Sequence, residues 1–514
     1  MNTSKYRNHI ITGLAFMLLL VQRFIFGINY YPTVDDWFLY MGKSVLIPQG
    51  LASPDLATRP FAGLFDHYII APLSDHIVIV EILLLIMLTA GVYFLWHGIN
   101  KNAKSTDLLF ILMLTMFPPA FEGLYWISAG ARIIPSIFFT GLSAYYLRKT
   151  LIAPPPPKNV AIYAFSGLFA VGFYEIFIPV YLIVCGGIIL SERKKYWLFI
   201  IPVIISGAMA VYYFVNSGDV TISGRLEFVG IKDLPSHLVY VINQYITLIL
   251  KSAEVFHGSF VDGIKAIKTY PLQGLMIIIL ATALGIFAPK TEIERKPQKL
   301  VLSLFLILGG MALNLIIAFV RVPFRLILPM MTGIALMVAV ALSYLPRVPY
   351  KIMAGVMALI FSICNTGSLT LYKYTNQRDS ELVNSLIENY DVKDPEKYTY
   401  IINPPQYWYN DRVAYYEFVK ATTENYATLT GQAEYFLNTP LKNNIMCLYE
   451  GNSISAFTPD TINGQYLYYN GDTLVPCSLA FSDPGFDVVT RDGTKVGHVT
   501  VENKLFTYKN IPQE

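Results

Sequence analysis

The sequence predicts an all-α polytopic membrane protein that ends in a small α+β domain. Three observations carry this. The chain is 54% hydrophobic and only 14% charged over 514 residues, whereas a soluble domain carries about 25% charge. Apolar runs near the length that crosses a bilayer as helix, about 20 residues, recur along positions 1–371. From Tyr372 the composition turns polar: Asn, Asp, Tyr, Gly and Pro rise and the apolar runs shrink. The expected domains are therefore a transmembrane part, 1–371, and an extracytoplasmic part, 372–514. The net charge of +3 does not point to nucleic acid, because the basic residues cluster in short loops.

About eleven spans are expected, at 10–28, 77–96, 108–118, 131–147, 160–173, 176–190, 196–214, 272–288, 300–320, 326–345 and 352–369. Segment 10–28 is too long for a cleaved leader core and reads as a signal anchor. The positive-inside rule orients the set. Lys5, Arg7, Lys101, Lys104, Arg148, Lys149, Lys158, Arg193, Lys194, Lys195, Lys290, Arg295, Lys296, Lys299, Arg347 and Lys351 all fall on the cytoplasmic side with the N-terminus. The tail then lies outside. Asp35, Asp36, Asp55, Asp66, Asp75, Glu122 and Glu175 land on the outer side too, with Arg59, Arg132, Arg321 and Arg325.

Spans 108–118 and 160–173 would rise only roughly 17 to 21 Å, short of a bilayer core of about 30 Å. Each ends in a turn carrying a carboxylate, Glu122 and Glu175. Non-helical backbone at depth is tolerated where protein lines a cavity. The first outer loop, 29–76, should hold an amphipathic helix near 34–46 and a short helix after Pro60. The second, 216–271, contains an apolar stretch, 238–256, that reads as an interfacial helix. The Pro154–Pro157 run reads as a stiff linker. In the tail, 380–390 and 411–425 look helical and 398–402 looks like a strand. Hairpins are expected around Asn470-Gly471-Asp472 and Arg491-Asp492-Gly493-Thr494. Cys185 and Cys364 sit in apolar spans as packing residues. Cys447 and Cys477 would be able to pair if the tail faces an oxidising compartment.

Chemistry centres on Asp35 and Asp36, adjacent acids just past the first span. The plain reading is a pair of solvated or helix-capping carboxylates. The functional one is a general base, its pKa raised beside a low-dielectric cavity. Glu122 and Glu175 are carboxylates at depth, which mark function by default or form an ion pair, for instance Glu122 with Arg132. Tyr125, Trp126 and Tyr174 flank them and are either ring-stacking platforms or aromatic-belt residues. His67 joins this group, with an interfacial role as its plainer reading. There is no GxxxxGK[ST], HExxH, CxxC or GxSxG.

A cytosolic N-terminus, one span, then Tyr31-Pro32-Thr33-Val34-Asp35-Asp36-Trp37-Phe38-Leu39-Tyr40 and an amphipathic helix resembles the GT-C class of polyprenyl-phosphate-sugar-dependent glycosyltransferases. Arg59-Pro60-Phe61 and Glu122-Gly123-Leu124-Tyr125-Trp126-Ile127-Ser128 look like the serotype-converting O-antigen glucosyltransferases within it. The likeness covers the layout of residues 1–371; the tail from Tyr372 carries no recognised motif, although members of this class often end in an outer domain. It implies a bacterial inner-membrane enzyme of lipopolysaccharide or other cell-envelope assembly, with its tail in the periplasm or outside the cell. Such an enzyme moves a hexose, glucose by this likeness, from a polyprenyl-phosphate donor to a lipid-linked glycan acceptor such as O-antigen. Membrane lipids would be its other partners. In the class the first acid is the base, which points to Asp35. Asp36 is then its support or, one register on, the base itself. A basic residue in a late outer loop holds the donor phosphate, which points to Arg321 and Arg325 in Arg321-Val322-Pro323-Phe324-Arg325. Interfacial snorkelling is their alternative reading, and Arg59 and Arg132 are further candidates. Some members use a divalent cation, magnesium or manganese; no ligand spacing here decides it. The competing functions are a lipid-linked glycan flippase or other transporter, and a polysaccharide polymerase or ligase. A transporter would need polar residues through the full bilayer depth.

Overall fold

In the computed structural model, apolar runs of the first two thirds fold into helices, and the polar tail builds a sheet. The structure describes residues 3–40, 59–101, 103, 105–152, 156–217, 229–317, 322–394, 398–405, 419, 421–424, 426–443, 445–449, 453–454, 464–482, 485–502 and 505–511. In chain order the helices are α1 (Thr3–Arg23), α2 (Asp35–Tyr40), α3 (Pro60–Phe65), α4 (Ile77–Ile99), α5 (Leu108–Thr115), α6 (Phe121–Tyr125), α7 (Ile127–Ile152) and α8 (Pro157–Phe173). They continue with α9 (Ile178–Glu192), α10 (Ile200–Ser217), α11 (Leu234–Thr269), α12 (Pro271–Phe287), α13 (Lys296–Ala312), α14 (Leu328–Leu342), α15 (Arg347–Asn389) and α16 (Tyr426–Leu437).

Among the described residues, six helices are long and apolar enough to cross a membrane, or up to eight if each of two bent pairs is one span. The eleven expected spans are not reached. The expected spans 160–173 and 300–320 fall on α8 and α13, which are 17 residues each and not among the six. The apolar part of α1 is short, Ile10–Arg23. The expected span 108–118 is broken: α5 ends at Thr115, and a tight turn at Pro118–Ala120 and α6 follow at 42°. The apolar stretch 238–256 is part of the 36-residue α11, which meets α12 at 118° where Pro271 opens the next helix. Proline at the first helical position keeps φ helical while lacking only an N–H that would be unbonded anyway.

The chain divides into two compact units: 1–30 with 49–370, and 31–48 with 371–514. In the helical unit, α4 and α7 touch backbone to backbone. A Cβ on Gly91 would stand 2.6 Å from Phe138 Cα, so only glycine fits there and the helices approach as small residues allow in apolar surroundings. Several of the basic residues assigned to one side by charge share a role here. Their side chains reach the last carbonyls of neighbouring helices, which have no partner within their own helix. Arg148 donates to Gly98 O at 2.9 Å and Ile99 O at 3.0 Å, ending α4. Lys299 adds a second bond to Ile99 O. Lys195 reaches Thr150 O of α7 at 2.6 Å, Arg295 reaches Ser191 O of α9, and Lys351 reaches Ile286 O of α12. Glu192 balances the cluster, accepting from Arg148 at 2.6 Å and Lys101 at 2.7 Å. At the same end Asp107 caps α5, accepting from Leu109 N and Phe110 N, and from Tyr350 Oη at 2.8 Å. Cations at helix C-termini and a carboxylate at an N-terminus each oppose the peptide dipoles.

In the second unit the strands are β1 (Tyr398–Ile402), β2 (Ile445–Leu448), β3 (Ser453–Ile454), β4 (Gly464–Tyr469), β5 (Leu474–Ser482), β6 (Gly485–Thr490), β7 (Lys495–Glu502) and β8 (Leu505–Asn510). They form one sheet in the order β2-β1-β4-β5-β6-β7-β8-β3. β1 runs parallel to β2 and β4; β4 through β8 form an antiparallel meander. Both expected hairpins form. Gly471 and Gly493 sit at φ +104° and +88°, which a side chain would disfavour. Asn470 Oδ1 closes the first turn on Asp472 N and Thr473 N. The helix expected at 380–390 is the end of α15, and most of 411–425 lies outside the described residues. Of the amphipathic helix expected at 34–46, α2 is the described part.

The Cys447–Cys477 pairing does not form: both thiols are free. Strands β1 and β4 separate their strands, so the two stand roughly 14 Å apart at about 4.8 Å per strand, beyond the reach of a disulfide. They also lie in different apolar cores, Cys447 with Ile401 and Leu467, Cys477 with Tyr400 and Tyr466. Burial pushes each thiol up to about 12, so neither is a ready thiolate.

Across β6 and β7, Asp487 accepts from Lys495 at 2.8 Å and from His498 Nδ1 at 2.7 Å. These bonds hold its carboxyl below the ordinary carboxylate range. A carboxyl lowered on folding adds stability above its unfolded pKa and loses it as pH falls through the folded one. Protection of the β6 and β7 amides, measured relative to the intrinsic exchange rate at each pH, should therefore fall as pH drops below the ordinary carboxylate value. Asp487→Asn should abolish that pH dependence.

Candidate functional site

Residues that sequence reasoning placed outside the membrane gather in two sets, one in each unit. In the helical unit they lie at the opposite end from the helix-capping cluster. Arg132 and Arg148 share α7 and are roughly 24 Å apart along it. Arg59, the residue before α3, donates twice to Glu175, at 2.8 and 2.6 Å. Its guanidinium also lies 4.8 Å from the Tyr174 ring centre. Arg132 donates to both oxygens of Asp66, at 2.6 and 3.4 Å, with both side chains nearly buried. Arg132 thus pairs with Asp66, not with Glu122. Arg325, in the tight turn before α14, stands 5.0 Å from the Trp126 ring centre. Gly123 permits this approach, since a Cβ there would lie 2.9 Å from Arg325 Cβ and 3.0 Å from its Cα. The three arginines and Glu175 all lie within electrostatic range of the Tyr174 hydroxyl. Arg321 lies outside the described residues.

Glu122 is on α6 and fully buried, as are Tyr125 and Trp126. The turn expected to carry it is a short helix in a broken span. Tyr30 fixes this region: its hydroxyl accepts from Ile127 N at 2.9 Å and its ring packs 4.9 Å from Tyr125. Beneath lies a pair whose members, Arg23 and Glu81, the sequence marks only as weak separate candidates at the outer ends of two spans. Arg23, fully buried, stands 3.6 Å from Glu81 and over the rings of Phe121 and Tyr125. The signal was present, as two opposite charges each at the outer end of an apolar span. His67, half-buried, packs edge-on against Tyr68 and is in none of these ion pairs. Among the described residues no group of three or more His, Cys, Asp or Glu is placed to hold a metal ion.

The second set is the acid pair, which groups with the C-terminal unit and not with the helices. Asp35 is exposed and Asp36 is buried. Asp36 Oδ2 accepts from Thr33 N at 3.3 Å, and its own N–H donates to Thr33 O at 3.0 Å, closing the turn that begins α2. The two adjacent carboxylates therefore have different environments, one facing water and one bracing backbone.

Comparison with protein-family models, curated proteins and solved structures finds no match to this chain. The fold itself defines the class: a mostly helical protein with, among the described residues, six to eight helices able to cross a membrane, and a C-terminal sheet.

Proposed function

We propose that this chain is an inverting glycosyltransferase of the GT-C class in a bacterial inner membrane. It moves a hexose, glucose in our reading, from a polyprenyl-phosphate donor to a lipid-linked glycan on the outer face. The observation that carries the reading is Arg59 against the Tyr174 ring and Arg325 against the Trp126 ring in the helical unit, with Arg132 within electrostatic range of Tyr174. Guanidinium matches a phosphate with paired, charge-assisted hydrogen bonds, and aromatic faces suit a sugar ring. Glu175 and Asp66 hold Arg59 and Arg132 in place, so these two shape the site; Arg325, in the late turn before α14 and against Trp126, meets the donor phosphate. Asp35 takes the proton of the acceptor hydroxyl. That oxygen bonds to the anomeric carbon from the face opposite the leaving group, and the bond to the lipid phosphate breaks. The phosphate leaves as an anion stabilised by Arg325.

The test is transfer of radiolabelled glucose from polyprenyl-phosphate glucose to endogenous lipid-linked glycan, in membranes with and without the protein. Transfer only with the protein supports the reading. No transfer from glucose, mannose or galactose lipids overturns it in favour of a lipid-linked glycan transporter or polymerase. Losing a hydrogen bond to a charged group costs about 1.5–3 kcal/mol. Arg325→Ala should therefore raise the apparent donor KM by about 10- to 100-fold; an unchanged KM rules out Arg325 as the clamp.

A further inference from the structure

The turn that carries Asp35 is strained, and the C-terminal unit supplies what holds it. Val34, directly before Asp35, sits at φ +41°, in the left-handed region that a β-branched side chain strongly disfavours. It is buried, as are Thr33, Asp36 and Trp37. Such a conformation persists only where its surroundings over-determine it, and it collects at functional sites. Three contacts within the second unit do this. Asp36 Oδ2 holds Thr33 N. Asn376 Nδ2 donates to Pro32 O at 3.0 Å. The Trp37 ring packs against Tyr435 and Phe436 of α16, at 5.6 and 6.1 Å between ring centres.

We propose that the C-terminal unit is the mount of the reactive carboxylate: Trp37 and Asn376 are positioning residues that keep the 33–37 turn in its strained shape and so fix Asp35. This rests on the glycosyltransferase reading for its chemistry and on the turn geometry for its mechanics. An acceptor-binding appendage would not need to seize the opposite end of the chain. A mount does, because a base must be held within a fraction of an ångström of its productive position, and a misplacement of about 1 Å costs about 100-fold in rate.

The experiment uses the full chain in detergent and reads two quantities: amide exchange of the 30–37 peptide, and kcat and donor KM in the transfer assay. Trp37→Ala and Asn376→Ala should speed exchange at 30–37 while β4–β7 stay protected. They should lower kcat by about 10- to 100-fold with donor KM little changed. Trp37→Phe should restore most of both. Unchanged exchange at 30–37 in both alanine variants overturns the mount. A loosened turn with unaltered kcat overturns its link to the chemistry. Should Trp37→Ala unfold the sheet, Asn376→Ala, which removes one hydrogen bond outside it, decides. If the unaltered protein transfers no sugar, the glycosyltransferase reading fails while the exchange result still judges the mount.

Discussion

Asp35→Asn is expected to abolish sugar transfer while leaving protein level and fold intact. The carboxamide keeps the size of the carboxylate but cannot take the acceptor proton, and loss of general-base catalysis costs about 100- to 10,000-fold. Asp35 is exposed, so the substitution leaves no buried charge uncompensated. Asp36→Ala should behave differently. It removes the acceptor that Thr33 N uses, so it should lower activity and loosen the turn together. The check is the transfer assay on membranes with matched protein levels, alongside amide exchange at 30–37. Full activity in Asp35→Asn with none in Asp36→Asn would move the base to the second acid.

Asp66→Ala is expected to destabilise the helical unit strongly. Asp66 and Arg132 are 4% and 11% exposed and form a paired contact across 66 positions. Removing the carboxylate leaves a guanidinium buried without its counter-charge, a loss of about 3–5 kcal/mol. Thermal unfolding in detergent should show the fall. Replacing both partners by apolar residues, Asp66→Ala with Arg132→Met, should recover much of it, because the pair offsets its own desolvation only in part. If Arg132 served the donor phosphate alone, Asp66→Ala would leave stability unchanged.

The helices at 77–99, 127–152 and 178–192 and the two tail hairpins were legible because their signals are local: apolar length, and Asn-Gly or Asp-Gly at a turn. The convergence of Arg59, Arg132, Glu175 and Tyr174 was legible only as a shared side, through the charge rule. Which acid takes which arginine was not, because Arg59 meets Glu175 across 116 positions. Composition did not reveal the break after Thr115 or the sharp turn at Pro271, because both depend on local backbone geometry and not on apolar length.

The sequence by itself determined that the apolar runs are helices, that two hairpins form in the tail, and the end to which the charges go. The first and last follow from the medium each side chain tolerates, residue by residue. Only the tertiary structure decided that Asp36 is buried while Asp35 is exposed, that Cys447 and Cys477 lie strands apart, and that residues 31–37 group with the tail. Burial and pairing depend on which distant segment fills the space beside a side chain. For Trp37 and Pro32 those segments are α16 and Asn376, some 340 to 400 positions away in a chain of 514.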